Sequence, residues 1–205
     1  MKIKTLTSYL EGIAPLFVQE EYDNSGLIIG NEEEEVLNVL ICIDCTEAVV
    51  DEAIKKKCNL IIAHHPIIFS GLKKITGKNY VERVTLKTIQ NNIAIYAIHT
   101  NLDNVSEGVN KKICEKLGLY NCTFLSPHPK SLFKGRGESG SGMIGTLSKP
   151  MTEISFLKKV KKVMKAGSLR YTALSGKKIN KIAVCGGSGS FLLDAAIAAK
   201  ADVFV

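Results

Sequence analysis

Residues 39–62, VLICIDCTEAVVDEAIKKKCNLII, read as a strand, a turn, a helix and a second strand. The β-branched run VLNVLICI (36–43) leads into TEAVVDEAIKKK (46–57), whose apolar residues fall at helical spacing, and then into the apolar NLIIA (59–63). Strand, helix and strand in that order predict a parallel βαβ unit. The stretch also recurs. A shift of 143 residues lays it without gaps over IAVCGGSGSFLLDAAIAAKADVFV (182–205), placing Cys42 on Cys185, Asp51 on Asp194, Ala53 on Ala196 and Ile54 on Ile197. Two related βαβ halves follow from this register.

Working outward, Leu6, Tyr9, Leu10, Ile13 and Phe17 mark an amphipathic N-terminal helix interrupted near Pro15, and not a signal peptide. NYVERVTLKTIQNN (79–92) predicts a helix and IAIYAI (93–98) a strand. Ser106 is the expected cap of a helix running to Leu117 and ended by Gly118, and Thr152 the cap of a helix running to Met164. Residues 126–150 are rich in Gly, Ser and Pro, which predicts a connection or long loop. The expected organisation is therefore a first α/β half over 1–125, a connection over 126–150 and a second α/β half over 151–205. The fold class is α/β with largely parallel sheets.

The 205 residues, 45% hydrophobic and 23% charged, suit one sizeable domain or two small ones and exclude a disordered or fibrous chain. No apolar run approaches the length of a membrane span. Six scattered cysteines, several within apolar runs, and no export signal lead to the expectation of a reducing cytoplasmic compartment. CIDC (42–45) lacks the second pair that a zinc ribbon needs. A net charge of +7 admits phosphorylated or nucleic-acid partners, and solubility explains it equally well. The lysines of 55–57 and 158–162 fall on predicted helices, where a solvated face is the expected reading.

Chemistry concentrates at strand ends, where ligands gather in open α/β sheets. NLIIAHHPIIFSG (59–71) finishes an apolar run on His64 and His65. The next expected strand ends in YAIHTNLDNV, which supplies His99 and Asp103. If the two strands are neighbours, His64, His65 and Asp103 can share a metal. Imidazole and carboxylate together suit zinc, iron, manganese, nickel or cobalt. His99 is then a ligand, an orienter or a proton-moving catalytic group. His128, in the Gly/Ser/Pro-rich region, is expected to play no part. The glycine turn at Gly186, Gly187, Ser188 and Gly189 follows a strand and opens a helix, so it is a candidate phosphate-binding segment; a tight turn needing glycine is the alternative. It lacks a Walker lysine and the third glycine of a dinucleotide fingerprint.

YDNSGLIIG (22–30), HHP (64–66), AIHTNLDNV (97–105) and AVCGGSGS (183–190) resemble, in order, the motifs of the YbgI/YqfO-like dinuclear metal-centre proteins, many of them labelled GTP cyclohydrolase 1 type 2 homologs. The resemblance spans nearly the whole chain, with Tyr22 where the family usually has tryptophan. It implies two interleaved α/β halves, a toroidal homohexamer and two metals per subunit, with ligands at His64, His65 and Asp103. It also implies a metal-dependent hydrolase-like activity on a nucleotide such as GTP. A non-catalytic ring-shaped metal-binding adaptor contacting nucleic acid or protein is the alternative. The family's final histidine and glutamate ligands have no counterpart here, and the repeat ends where they would fall, so the sequence reads as a fragment.

Overall fold

The structure, a computed structural model, describes residues 1–128 and 139–205. It divides into two compact units, Met1–Leu102 and Asp103–Val205. The sequence placed its connection later, over 126–150. In the structure the strand Tyr120–Pro127 is hydrogen-bonded to Gly140–Thr152, which ties it to the second unit's sheet.

In the first unit, α1 (Ile3–Ile13) is followed by β1 (Gly26–Ile29), β2 (Val39–Cys42), α2 (Glu47–Lys55), β3 (Leu60–Ala63), α3 (Tyr80–Gln90), β4 (Ala94–Ala97) and the start of α4 (Thr100–Asp103). The sheet order is β1-β4-β3-β2. Strands β2, β3 and β4 run parallel, and β1 lies antiparallel against β4. Thr46 caps α2 by accepting from the Val49 N–H, and Asn79 caps α3 by accepting from the Glu82 N–H. β3 and β4 are buried on both faces, as their unbroken apolar sequences demand. On one face Leu60, Ile62, Ala94 and Tyr96 pack against Ile3 of α1. On the other, Ile61, Ala63 and Ile95 meet Val50 and Ala53 of α2 and Val84 of α3. This double burial fixes where the two strands end, and hence where the residues after them begin.

The second unit contains α5 (Val109–Leu117), β5 (Tyr120–Pro127), β6 (Gly140–Thr152), α6 (Glu153–Val163), β7 (Lys178–Val184), α7 (Leu193–Ala198) and β8 (Val203–Phe204). Its sheet order is β5-β6-β7-β8, antiparallel except for β7–β8. The sheets are thus mixed, with parallel pairing confined to strands joined by helical crossovers. Thr152 caps α6 and Gly118 ends α5 in the left-handed region, both as expected. Ser106 does not cap α5. A turn closed by Gly108 N–H to Val105 O intervenes, and Gly108 flanks the helix instead.

The expected connection at 126–150 contains most of the strand β6. Its glycines answer to close packing and not to looping. A Cβ on Gly140 would lie 2.5 Å from Ser126 O, and one on Gly145 2.7 Å from Cys122 Sγ. Residues 129–138 of that stretch lie outside the described residues.

The repeat is present in the backbone. Val39 pairs with Leu60 and Leu40 with Ile61; 143 residues on, Ile182 pairs with Val203 and Ala183 with Phe204. Lys57 and Lys200 both leave the helix at positive φ, 54° and 55°. The Asn59 side chain accepts from the Leu37 N–H, and Asp202, its counterpart, accepts from the Asn180 N–H.

Candidate metal centre

The first unit's sheet carries its chemistry past the carboxyl ends of β3 and β4. The His64 N–H donates to Cys42 O at 3.0 Å and the His65 N–H to Ile43 O at 2.9 Å, so the chain leaves β3 still laced to the end of β2. The Ile98 N–H likewise donates to Ala63 O at 2.9 Å, which sets His99 beside the histidine pair. Adjacent residues on a regular strand face opposite ways. Here the strand has ended and Pro66 follows, and both rings turn to one place. The ring centroids lie 4.9 Å apart for His64–His65, 5.3 Å for His64–His99 and 5.4 Å for His65–His99. One ligand nitrogen from each of the three falls within 4.8 Å of the others.

Each ring is oriented through Nδ1. His64 Nδ1 meets Ile98 O at 2.8 Å, His65 Nδ1 meets Asp44 Oδ1 at 2.7 Å, and His99 Nδ1 meets Asp23 Oδ1 at 2.8 Å. A carbonyl or a carboxylate can only accept, so each neutral ring holds its proton on Nδ1. That places the lone pair on Nε2, the tautomer a metal requires. Three imidazoles with carboxylate and carbonyl orienters behind them fit a transition metal, zinc among them, in a site that keeps a position open for water or substrate.

Asp23 is the most firmly held of these orienters. Its side chain is fully buried. It accepts from the Thr100 N–H at 3.0 Å, the Ser25 hydroxyl at 2.9 Å, the Asn24 N–H at 2.7 Å and the Thr100 hydroxyl, besides His99. Burial opposes its charge, but the hydrogen bonds from His99 and Thr100 outweigh burial and hold the carboxyl well below the usual carboxylate range. Thr100 Oγ1 in turn accepts from the Glu20 N–H, and Asn101 Oδ1 from the His99 N–H. Asp44, by contrast, is 66% exposed.

Sheet register explains both carboxylates. Gly26 of β1 pairs with Ala97 of β4, so the residues before β1 lie beside those after β4, and Asp23 meets His99. Cys42 of β2 pairs with Ala63 of β3, so Asp44 comes level with His65. Neither aspartate was singled out from the sequence. Asp23 stands within YDNSGLIIG, but nothing in the sequence shows that β1 runs antiparallel to β4.

Of the other candidates, Asp103 ends α4, four residues after His99, and belongs to the second unit, where Asn110 Nδ2 donates to its carbonyl at 3.0 Å. Its candidacy rests on the H-x-x-x-D spacing and on the family resemblance. The glycine turn also lies in the second unit. The Gly186 N–H is donated to Asn110 Oδ1 at 2.8 Å, Gly187 has φ +74°, and a Cβ on Gly189 would sit 2.7 Å from Cys185 Cβ. Backbone geometry and packing thus account for glycine at 187 and 189. Among the described residues, no grouping of metal-ligating side chains includes Cys42 or Cys45.

Fold and site together define a mixed α/β protein with a candidate three-histidine metal centre. The chain belongs to the Duf34/NIF3 (NGG1p interacting factor 3) family, whose model matches residues 1–205. It is 39% identical over 189 residues to the GTP cyclohydrolase 1 type 2 homolog of Clostridium acetobutylicum, covering 92% of this chain and 69% of that relative. Among solved structures it resembles the Staphylococcus aureus hypothetical protein SA1388 (TM-score 0.89, 32% identity, 100% of this chain and 78% of that one). It also resembles a Bacillus cereus protein related to NIF3 (TM-score 0.90, 28% identity, 100% and 81%). None of the helices in the described residues is long and apolar enough to cross a membrane.

Proposed function

We propose that this is a metal-dependent hydrolase-like protein acting on a nucleotide, with GTP the candidate that its relatives' name suggests. The observation that carries the reading is the trio of imidazoles, each oriented through Nδ1 so that Nε2 is the ligating nitrogen. His64 and His65 would hold the metal, with Asp103 as the carboxylate ligand and a possible bridge to a second ion. A bound transition metal supplies Lewis acidity and makes water acidic enough to serve as a nucleophile near neutral pH.

The chain's own groups do the rest. Asp23 keeps the His99 Nδ1 proton in place, leaving Nε2 to bind the ion or to take a proton from the attacking water. Metal content separates these duties. In His99→Ala, a fall in bound metal marks a ligand; full metal with lost turnover marks a proton-moving group. The 186–189 turn is the proposed phosphate-holding segment, resting on Gly187, Ser188 and Gly189 because Gly186 already donates to Asn110. The homohexamer implied by the family resemblance is proposed with it, and light scattering would test it by giving six times 22.3 kDa.

The deciding experiment incubates metal-loaded protein with GTP, in parallel with zinc, manganese, iron, nickel and cobalt, and follows the nucleotide chromatographically. Turnover with at least one metal, lost in His64→Ala, is the expected result. No turnover with any of them would remove the reading.

A further inference from the structure

Two aromatic side chains stand at the histidine cluster, and the metal site makes no use of them. Tyr22 is 58% exposed and Phe69 48%. Their ring centroids lie 6.0 Å apart with the planes tilted by 36°, and Phe69 lies 6.3 Å from His99, edge to face. Single exposed aromatics are ordinary on a protein surface. A neighbouring pair that reaches the candidate reactive centre is a different matter.

The pair is also built in. Tyr22 directly precedes Asp23, which five donors hold in place. Phe69 follows Ile68, whose carbonyl accepts from Asn24 Nδ2 at 2.7 Å. Ile67 is buried in the core behind it. The two segments are therefore tied to each other and to the sheet, while both side chains stay about half exposed.

We infer that Tyr22 and Phe69 form a stacking wall that takes the planar heteroaromatic ring of a substrate and presents it to His64, His65 and His99. The inference rests on the nucleotide reading above and names the part of the nucleotide that this surface holds. Aromatic faces suit such a ring because stacking needs no particular hydrogen-bond pattern, while the histidines beside it supply the polar chemistry. An aliphatic or purely ionic ligand would gain little from two exposed rings.

The chain contains no tryptophan, so Tyr22→Trp places a single fluorophore in the wall. Titrating this variant with GTP, guanosine and tripolyphosphate reads stacking directly. Saturable quenching by GTP and by guanosine, and none by tripolyphosphate, is expected. In equilibrium dialysis of GTP, Tyr22→Ala and Phe69→Ala should each weaken binding about 10- to 100-fold, the usual cost of losing one base–aromatic stack. Tyr22→Phe should keep wild-type affinity, and metal content should be unchanged in all three. GTP binding that is equally tight in the Tyr22→Ala/Phe69→Ala double variant would overturn the wall and leave the nucleotide reading standing. So would quenching by tripolyphosphate alone. Metal-loaded wild-type protein that binds no GTP would remove both.

Discussion

Two aspartates orient two histidines of one cluster, and they should answer differently to the same substitution. Asp23 is buried under five donors, so Asp23→Asn puts an NH2 group where only acceptors fit. Unsatisfied buried donors cost about 1–3 kcal/mol each. We expect a clear loss of thermal stability, with metal affinity lower by about 10–100-fold, the usual cost of losing an orienting partner. Asp44 is exposed and its carboxylate bonds His65, so Asp44→Asn should lower metal affinity with little change in melting temperature. Calorimetry beside a zinc titration checks both, and equal stability losses would contradict the difference in burial. At this scale the sequence was half legible. His64, His65 and His99 stood out because imidazoles at the ends of apolar strands need a reason. The carboxylates that aim them did not, since each is brought in by strand pairing across the sheet.

Among elements, the repeat provides a matched test. Lys57 and Lys200 hold φ of 54° and 55° after their helices, a conformation that L side chains adopt at a cost. Lys57→Gly and Lys200→Gly should each stabilise the protein by up to about 1 kcal/mol, net of glycine's extra freedom when unfolded, as read by denaturant midpoints.

The turn before α3 gives a pH signature. The Thr76 and Lys78 backbone N–H groups, with the Thr76 hydroxyl, hold the Glu82 carboxyl below its ordinary value of 4.5. A carboxylate whose folded pKa is depressed contributes stability above its unfolded pKa, and that contribution is lost as pH falls through the folded value. The stability gap between wild type and Glu82→Gln should therefore be full at neutral pH and close as pH drops below about 4.5. A gap independent of pH would argue against the charge.

Helices and parallel strands were legible because their apolar periods and caps are local. β6 was not, because its glycines looked like loop residues and only the neighbours that crowd them show why a side chain cannot stand there.

For the whole molecule, the two compact units predict separable unfolding. All three histidines of the cluster lie within Met1–Leu102. Zinc should raise the melting temperature of the transition that belongs to Met1–Leu102, and should move the second transition as well only if Asp103 joins the histidines as a ligand, because an ion stabilises each unit that binds it. A single transition moving as a whole would show that the units unfold together. The repeat of two βαβ halves is visible in the sequence itself. The place of division is not, since composition marks the Gly/Ser/Pro-rich stretch while strand pairing assigns β5 and β6 to the same sheet.

The matched register of the two βαβ halves equips the chain with its own experimental counterpart. Asn59 and Asp202 brace equivalent backbones, and among the described residues it is the first brace that lies next to a strand delivering imidazoles. Damage inflicted at Asn59 reports on framework and on capture by the three histidines combined, and at Asp202 on the framework of the unit that lacks those histidines. Subtracting the second from the first isolates what the ion owes to its scaffold, without recourse to any other protein.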